Sequence, residues 1–321
     1  MVKKIALEEH FMSPGLEEYW RPTMSLVPPE VFKPIYARLT DFGELRLREM
    51  DAAGIVKSVL SIAGPGVQIE PDAKRATYKA AESNDFLAAE IQKRPRRYDG
   101  FAQIALQDPK AAAAELERCV KQLGFKGCMI NGQTLGHYLD ERQFDPFWAK
   151  AAELGTLVFM HPNGSANLLK SGALAGRGGL GNVVGNPLET TVFLSRLILD
   201  GTFDKFPTLR VCGAHGGGFL PSYFGRTEVA CQRPNANCGN TKRPSEYLRQ
   251  NLLADTMVFS EEGLRHLVAE MGVSQVVYGT DVPFNWPVTV DLILDSPSLK
   301  DADKEAILGG NLLRLLKIPA A

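Results

Sequence analysis

The sequence predicts a single (β/α)8 barrel that occupies residues 1–321. Short apolar runs rich in Val, Ile, Leu and Phe recur along the chain, and amphipathic segments follow most of them. Runs that are apolar throughout are typical of parallel strands covered on both faces. A strand, helix and turn repeated about eight times favours a parallel barrel over a doubly wound sheet. The runs span residues 4–8, 57–61, 100–104, 127–130, 157–161, 210–214, 253–258 and 275–279.

The segments between these runs carry helix start and stop signals. Residues 108–123 begin with Asp108, which can cap a helix, followed by Pro109 in the first helical position. Gly124 is placed to end that helix, and Gly155 is placed to end a second helix over residues 147–154. We therefore expect helices that return the chain to the start of the next strand.

Two segments exceed a minimal barrel. Residues 12–40 carry five prolines and four aromatic residues, which indicates an insertion after strand one. Residues 172–185 are rich in glycine and follow strand five, which predicts a mobile loop over the barrel mouth. Both leave from the end of the barrel where loop variation sets substrate choice.

Composition excludes several classes of protein. The 36 basic and 37 acidic residues nearly balance, so we expect neither a nucleic-acid partner nor a membrane partner. Apolar stretches fall short of a membrane span, and we find no secretory pattern at the N-terminus. The five cysteines form an odd set without a CxxC pair. We interpret them as reduced thiols of a cytoplasmic enzyme.

Three of the five histidines close apolar runs, and so does an aspartate. Imidazoles and carboxylates at the carboxyl ends of parallel strands converge at the mouth of a barrel, where such enzymes keep their active sites. Two of the side chains lie two residues apart on strand one and should leave the same face, with Glu9 between them pointing outward. These side chains could form the first shell of a divalent cation. They are Glu8, His10, His161, His215 and Asp281.

The other two histidines do not share this position. His137 lies in a polar loop, and His266 lies in a charged helical segment. A lone histidine at such a place is more often a structural or surface residue than a ligand. We therefore predict that both are exposed and uninvolved in the site.

Several motifs resemble the amidohydrolase superfamily, and specifically its metal-dependent nonoxidative decarboxylase branch. That branch includes γ-resorcylate decarboxylases and 2-amino-3-carboxymuconate 6-semialdehyde decarboxylases. The resemblance covers nearly the whole chain and is more specific for the branch than for any one substrate. The motifs are IALEEHF, LQDPKAAAAELERCVKQLGFKG, the HP after strand five, DGTFDKFPTLRVCGAHGGG and YGTDVPF.

The resemblance implies roles for the residues at the strand ends. One divalent ion, Zn²⁺ or Mn²⁺, would be held by the four residues Glu8, His10, His161 and Asp281. The strand-six residue His215 matches a nearby acid–base group, and Asp281 is a second candidate for the proton donor. We find no lysine matching the bridging ligand of binuclear relatives, since strand four ends in 129–131 (MIN), which argues for one ion. The acid at position 8 favours manganese slightly.

An anionic substrate also requires cations and a surface for its ring. By resemblance, Arg46 binds a substrate carboxylate, and Arg226 is donated across a subunit interface, so we expect a homodimer or a higher homo-oligomer. A guanidinium suits this task because it binds carboxylates bidentately. Without the resemblance, an ordinary surface ion pair would be preferred for each arginine. Phe284, shortly after Asp281, is expected to pack against the substrate, although core or lid packing would also explain it.

The function implied is decarboxylation of a hydroxylated aromatic or muconate-type carboxylate, a carbon–carbon lyase reaction. An alternative is a hydrolase or hydratase on the same barrel, acting on an ester, lactone or olefinic acid. A second metal would favour that alternative, because fold alone does not separate the two. A noncatalytic metal-binding barrel is disfavoured, since the set of strand-end side chains is intact.

Overall fold

The computed structural model describes residues 3–24, 27–163 and 171–318. Its centre is a barrel of parallel strands, so the predicted fold class is confirmed. Every predicted run contains a strand, although the first strand extends three residues beyond its predicted end at Glu8. The strands are β1 Lys4–Phe11, β2 Ile55–Ile62, β3 Tyr98–Gln103, β4 Gly127–Ile130, β5 Leu157–Met160, β6 Arg210–Gly213, β7 Leu252–Asp255, β8 Val276–Val277 and β9 Gly279–Val282.

The eighth barrel position consists of two short pieces, β8 and β9. The hydrogen-bonded order is β8-β7-β6-β5-β4-β3-β2-β1-β9. β8 pairs with β7, whereas β9 pairs with β1, where Leu7 stands opposite Gly279. Between the two pieces, the carbonyl of Tyr278 accepts the backbone N–H of Leu7 at 3.0 Å. The barrel therefore closes through a strand that changes partner at a single residue.

Helices surround the barrel as the alternating pattern predicts. Ala214–Gly217 forms a separate tight turn, and a small hairpin of Gln133–Thr134 and His137–Tyr138 follows β4. The helices are α1 Glu17–Met24, α2 Pro29–Thr40, α3 Glu44–Ala53, α4 Ala73–Lys93, α5 Pro109–Lys121, α6 Asp145–Leu154, α7 Asn186–Leu199, α8 Thr202–Lys205, α9 Phe224–Ala230, α10 Pro244–Gln250, α11 Glu261–Met271, α12 Val290–Leu294, α13 Asp301–Glu305 and α14 Asn311–Leu315.

Local sequence explains where α5 and α6 begin and end. The Asp108 carboxylate accepts the backbone N–H groups of Lys110 and Ala111, so it caps α5 as expected. α6 ends at Gly155, which has φ 60° and ψ 34° and is free to adopt this left-handed conformation. Three of the barrel strands, β4, β5 and β7, are buried along their whole length. That burial is why their sequences lack polar alternation.

The segment after β1 packs against the loop that follows β9. It contains α1 and α2, and the ring of Trp20 lies 6.2 Å from that of Phe284. From α2, Arg38 donates hydrogen bonds to the Pro283 carbonyl at 2.9 Å and to Asn285 Oδ1 at 2.8 Å. Residues 12–24 and 27–40 thereby help to position one wall of the barrel mouth.

The cysteines differ from the sequence-based expectation. Cys231 and Cys238 form a disulfide with a Cα–Cα distance of 5.7 Å, so the interpretation of all five as reduced thiols is wrong for this pair. The pair escaped notice because a spacing of seven residues matches no common motif, and only the turn after α9 brings the residues together. The other cysteines are buried free thiols, namely Cys119, Cys128 and Cys212. Within the described ranges, helices long and apolar enough to cross a bilayer are not found.

Candidate metal centre

The end of β1 departs from regular strand geometry at Glu8. This residue has a φ of 66°, and the register of β1 against β2 shifts between Ala6 and Glu9. Positive φ is costly for a side chain with a Cβ, and such strain is concentrated at functional sites. Glu8 and His10 still lie at one end of the barrel, because Glu8 approaches His215 and His10 approaches Asp281.

His161 directly follows β5 and is held by its backbone. Its N–H donates to the Ile130 carbonyl at 2.9 Å, and its carbonyl accepts the Asn131 side-chain amide at 3.0 Å. The Gln68 side chain in turn accepts the Asn131 N–H at 2.6 Å. These bonds fix the loop and leave both imidazole nitrogens of His161 without a hydrogen bond in the described part of the chain.

His215 projects from the tight turn after β6, where it has a φ of 58°. The carboxylate of Asp255, at the end of β7, accepts three backbone N–H groups around this turn: those of His215 at 2.7 Å, Gly216 at 2.8 Å and Met257 at 3.0 Å. Asp255 therefore stabilises the strained conformation that presents His215. Sequence reasoning missed Asp255, although an acid that closes an apolar run was the same signal that indicated Asp281.

The strand-end side chains converge as predicted. Ligand atoms of four residues, Glu8, His161, His215 and Asp281, all lie within 4.8 Å of one another. Glu8 Oε1 is 3.1 Å from His215 Nε2 and 3.9 Å from His161 Nε2. His10 joins from the other side, since its Nε2 lies 3.2 Å from Asp281 Oδ1. The five predicted side chains thus form one cluster, in which His215 belongs to the group of four and His10 adjoins that group through Asp281.

The cluster fits a divalent cation. Several buried polar atoms in it lack a hydrogen-bond partner among the described residues, and such atoms are costly unless another group satisfies them. Carboxylate oxygens and imidazole nitrogens are ligands that Zn²⁺ and Mn²⁺ both accept. The atoms are both carboxylate oxygens of Glu8, Nε2 of His10, both ring nitrogens of His161 and Oδ1 of Asp281.

The pKa shifts of Glu8 and His161 also fit a bound cation. Burial, with the neighbouring carboxylates of Asp255 and Asp281, raises the pKa of Glu8 well above its usual value. Burial also lowers the pKa of His161, with smaller contributions from His10 and His215, so its imidazole is neutral at pH 7. A cluster that penalises carboxylate charge and favours neutral imidazole suits a bound cation, which ligates imidazole in its neutral form.

The substrate-binding candidates lie in three different surroundings. The ring of Phe284 lies 5.5 Å from that of His10, at the edge of the cluster. Arg46 is buried on α3, where its Nη2 donates to the His10 carbonyl at 2.6 Å and its Nε to the Asp41 carbonyl at 2.9 Å. Arg226 is exposed on α9. The described chain thus brings Phe284 to the site, ties Arg46 to the backbone beneath it and leaves Arg226 on the surface.

Two further glutamates are buried near the cluster. Glu9 points away from it but is buried rather than solvated: Ser58 donates to its Oε2 at 3.2 Å and Thr280 to its Oε1. Burial raises the pKa of Glu9 to about 7. Glu189, on α7, accepts the Asn163 N–H at 3.3 Å, and burial raises its pKa to about 8. Sequence reasoning did not single out Glu189, since a glutamate within a helix carries no local signal of burial.

The two remaining histidines differ from each other. His137 is 59% exposed and its Nδ1 lies 2.9 Å from Glu141 Oε2, so the predicted exposure is confirmed for it. The predicted exposure is wrong for His266, which is half-buried and donates from Nε2 to the Pro221 carbonyl at 3.2 Å. His266 also lines a cavity that reaches His215. Its surroundings come from the turn after β6, which helical periodicity does not reveal.

Comparisons with known proteins agree with this geometry. A family model described as Amidohydrolase matches residues 27–318. The chain is 34% identical to the γ-resorcylate decarboxylase of Polaromonas sp. (strain JS666 / ATCC BAA-500), over 98% of both chains. A dihydroxybenzoic acid decarboxylase from Polaromonas sp. JS666, solved with manganese and 2-nitroresorcinol, superposes with a TM-score of 0.90 at 32% identity, over 100% of this chain and 98% of the other.

A manganese-bound 5-carboxyvanillate decarboxylase from Novosphingobium aromaticivorans DSM 12444 gives a TM-score of 0.88 at 31% identity. The superposition covers 98% of this protein and 96% of the 5-carboxyvanillate decarboxylase. These matches run through every barrel strand, including those that end at the cluster. The strand-end cluster and the similarity along the whole chain lead to one conclusion: the protein belongs to the amidohydrolase family.

Proposed function

We propose that this protein is a divalent-metal-dependent nonoxidative decarboxylase of hydroxylated aromatic carboxylates. The observation that carries the proposal is the similarity to γ-resorcylate decarboxylases along 98% of both chains. The proposal is supported by Glu8, His161, His215 and Asp281, which lie close enough together to hold a divalent cation. The comparisons do not favour the hydrolase or hydratase alternative.

We infer that Glu8, His10, His161 and Asp281 hold the metal and that His215 remains free for chemistry. His10 is fully buried, and its Nδ1 lies 3.4 Å from both the Ile62 carbonyl and Ser61 Oγ; in the tautomer in which Nδ1 donates to that carbonyl, Nε2 is left to ligate. His215 is 16% exposed and lines the neighbouring cavity. Exposure separates His215 from the fully buried His10 but not from His161, which is 11% exposed; contact with the cavity is what distinguishes His215 as the group that reaches the substrate.

The metal, Mn²⁺ or Zn²⁺, would hold the substrate carboxylate with an adjacent oxygen and act as a Lewis acid. Two carboxylates among the proposed ligands favour the harder Mn²⁺, and the two relatives described above were solved with manganese. Phe284, beside His10, is placed to contact the substrate ring. The ring is thereby held near His215.

The reaction needs one proton at the carbon that carries the carboxylate. We infer that His215 donates it from Nε2, and the ring π electrons form the new C–H bond. The C–COO⁻ bond then breaks, CO₂ leaves and the bonding pair restores the aromatic ring. Asp255 supports this step by fixing the turn that presents His215. Asp281 is the other candidate donor, but its side chain is only 5% exposed and lies against His10.

Release of CO₂ from a panel of hydroxybenzoates tests the reaction, with metal content measured on the same sample. In heavy water, the product should carry one deuterium at the carbon that lost CO₂, and high bicarbonate should drive some reverse carboxylation. A protein that loads metal yet releases no CO₂ from any member of the panel would contradict the proposal.

Two matched variants test the division between ligand and acid–base group. His10→Ala should lose bound metal, whereas His215→Asn should keep it and slow turnover by about two orders of magnitude or more, the usual scale for an acid–base group. Elemental analysis and steady-state rates check both. If His215→Asn loses the metal while His10→Ala retains it, the two roles are reversed.

We further propose that Arg226 serves the site of a partner subunit, so that a homodimer is the smallest active unit. Tyr223 and Val229 near it are also exposed, at 71% and 50%, which gives this surface the apolar area that a subunit contact buries. Mixing His161→Ala with Arg226→Ala should restore some activity. Failure to restore it despite proven subunit exchange would remove Arg226 from the shared site.

Substrate binding by Arg46 and a cytoplasmic location stay predictions. The Arg46 guanidinium donates to backbone carbonyls, and its buried Nη1 has no hydrogen-bond partner among the described residues. Arg46→Lys separates the two tasks: a rise in KM at unchanged folding stability would support substrate binding. Loss of folding stability at unchanged KM would assign Arg46 to the scaffold alone.

A further inference from the structure

A cavity of about 340 Å³ lies beside the metal centre, and His215 is shared by both. We call it the His215 cavity; it extends from His215 to His266, between the loop after β6, the loop after β7 and residues 182–187. Its volume is within the range of small-molecule pockets. An apolar cavity of about 150 Å³ holds one benzene, so this one holds a benzene-sized group and more.

The lining of the His215 cavity is mostly apolar, and its polar members are Asn182, Ser222, His215 and His266. Aromatic rings of Phe219, Phe259 and Trp286 face it together with aliphatic side chains, and the described residues that line it include no carboxylate, lysine or arginine. Phe219, Phe259 and Val183 are 39%, 41% and 45% exposed, which leaves apolar surface open to water. Covering such a surface with an uncharged apolar group lowers the free energy, because apolar area is removed from water.

The aromatic wall of the cavity is held by strained backbone. Phe259 has a φ of 52°, an outlier for a bulky residue, and its ring stacks on Trp286 at a centroid distance of 5.3 Å. Asn285, beside Trp286, has a φ of 62°, which asparagine adopts without much strain, and its Oδ1 accepts a hydrogen bond from Arg38 at 2.8 Å. Strain persists where surrounding structure enforces it, and it is concentrated at ligand clamps.

We propose that the His215 cavity is a specificity subsite for an apolar substituent on the aromatic ring of the substrate. This inference rests on the proposed decarboxylase function. The carboxylate end of the substrate would lie at the metal centre, where His215 Nε2 is 3.1 Å from Glu8 Oε1. An alkyl or aryl group on the same ring would pass His215 and cover Phe259 and Trp286. The preferred substrate class is therefore an apolar-substituted hydroxybenzoate rather than an unsubstituted one.

Binding of the product-like phenols tests the subsite without turnover. Resorcinols that carry hydrogen, methyl, propyl or pentyl at each free ring position would be titrated calorimetrically into the metal-loaded enzyme. For at least one ring position, each buried methylene should tighten Kd by about fourfold. The pentyl-to-hydrogen affinity ratio should fall at least tenfold in Trp286→Ala and in Val183→Phe, which fills the cavity. Tyr78→Ala, an exposed aromatic remote from the cavity lining, should keep the wild-type ratio.

A flat affinity series at every ring position, or a wild-type ratio in both cavity variants, would overturn the subsite. These results are distinct from failure of the proposed function. A graded series without CO₂ release would keep the subsite and refute decarboxylation, whereas CO₂ release with a flat series would do the reverse.

Discussion

Glu8 and Glu9 are neighbours on β1, and each residue is at most 2% exposed. Their partners differ. Both oxygens of Glu9 accept hydrogen bonds, from Ser58 and Thr280, whereas neither oxygen of Glu8 has a hydrogen-bond partner in the described part of the chain. Glu189 is intermediate, since one oxygen accepts the Asn163 N–H and the other has no hydrogen bond among the described residues. Burial alone therefore does not distinguish Glu8 from Glu9; the lack of hydrogen bonds to Glu8 among the described residues does, although its Oε1 lies 3.1 Å from His215 Nε2.

The largest effect is expected for Glu8→Gln. An amide is a poor ligand, so bound metal should be lost and activity should fall by more than about a thousandfold, the scale of several kcal/mol of lost charge stabilisation. In metal-free protein, the variant should unfold at a higher temperature than wild type, because Glu8 lies among the carboxylates of Asp255 and Asp281. Elemental analysis, rate measurement and thermal melts check this. Equal melting temperatures of the two metal-free proteins would show that the Glu8 carboxyl group does not destabilise the metal-free fold.

Glu189→Gln should change the pH dependence of stability. The folded-state pKa of Glu189 is about 8, against 4.5 for an ordinary glutamate, so the native chain holds this proton more tightly than the unfolded chain does. Wild-type stability should therefore decline as pH rises from about 4.5 to about 8, by an amount on the order of a few kcal/mol. The variant lacks this titration, and its advantage in urea unfolding should grow between about pH 5 and about pH 8. If the difference in free energy of unfolding between variant and wild type stays constant across that range, the folded-state pKa of Glu189 does not lie near 8.

Glu9→Gln should have the smallest effect. One amide oxygen still accepts a hydrogen bond from Ser58 or Thr280, so at about pH 4, below the folded-state pKa of Glu9 of about 7, the free energy of unfolding should fall by only about 1–2 kcal/mol. Metal content should not change, because both Glu9 oxygens are occupied by hydroxyl donors rather than free to ligate. Urea unfolding and elemental analysis check the pair of expectations. A loss of metal as large as that of Glu8→Gln would erase the contrast between the neighbours.

Sequence reasoning was sufficient for the barrel and for the cluster because both depend on period and position. Apolar runs with polar ends locate strand termini, and parallel strands place those termini together. The cavity beside His215 could not be predicted this way. Phe259, Trp286 and His266 come from different loops whose approach depends on turn conformations such as the positive φ of Phe259. Asp255 is an intermediate case, because the sequence shows that it closes an apolar run but does not show that its carboxylate accepts backbone N–H groups.

The backbone at the metal centre has a consequence for how this protein can change. Glu8, His215 and Asp281 all have positive φ, at 66°, 58° and 53°, so each position is restricted by its backbone as well as by its side chain. Valine, isoleucine and threonine are excluded there, and only glycine, asparagine and aspartate enter such a conformation easily. Libraries that aim at a new substrate will therefore gain little from these three positions. We expect variation to be tolerated instead at positions such as Val183, on the helical turn Gly181–Gly185, where a change of side chain leaves the backbone of the metal centre intact.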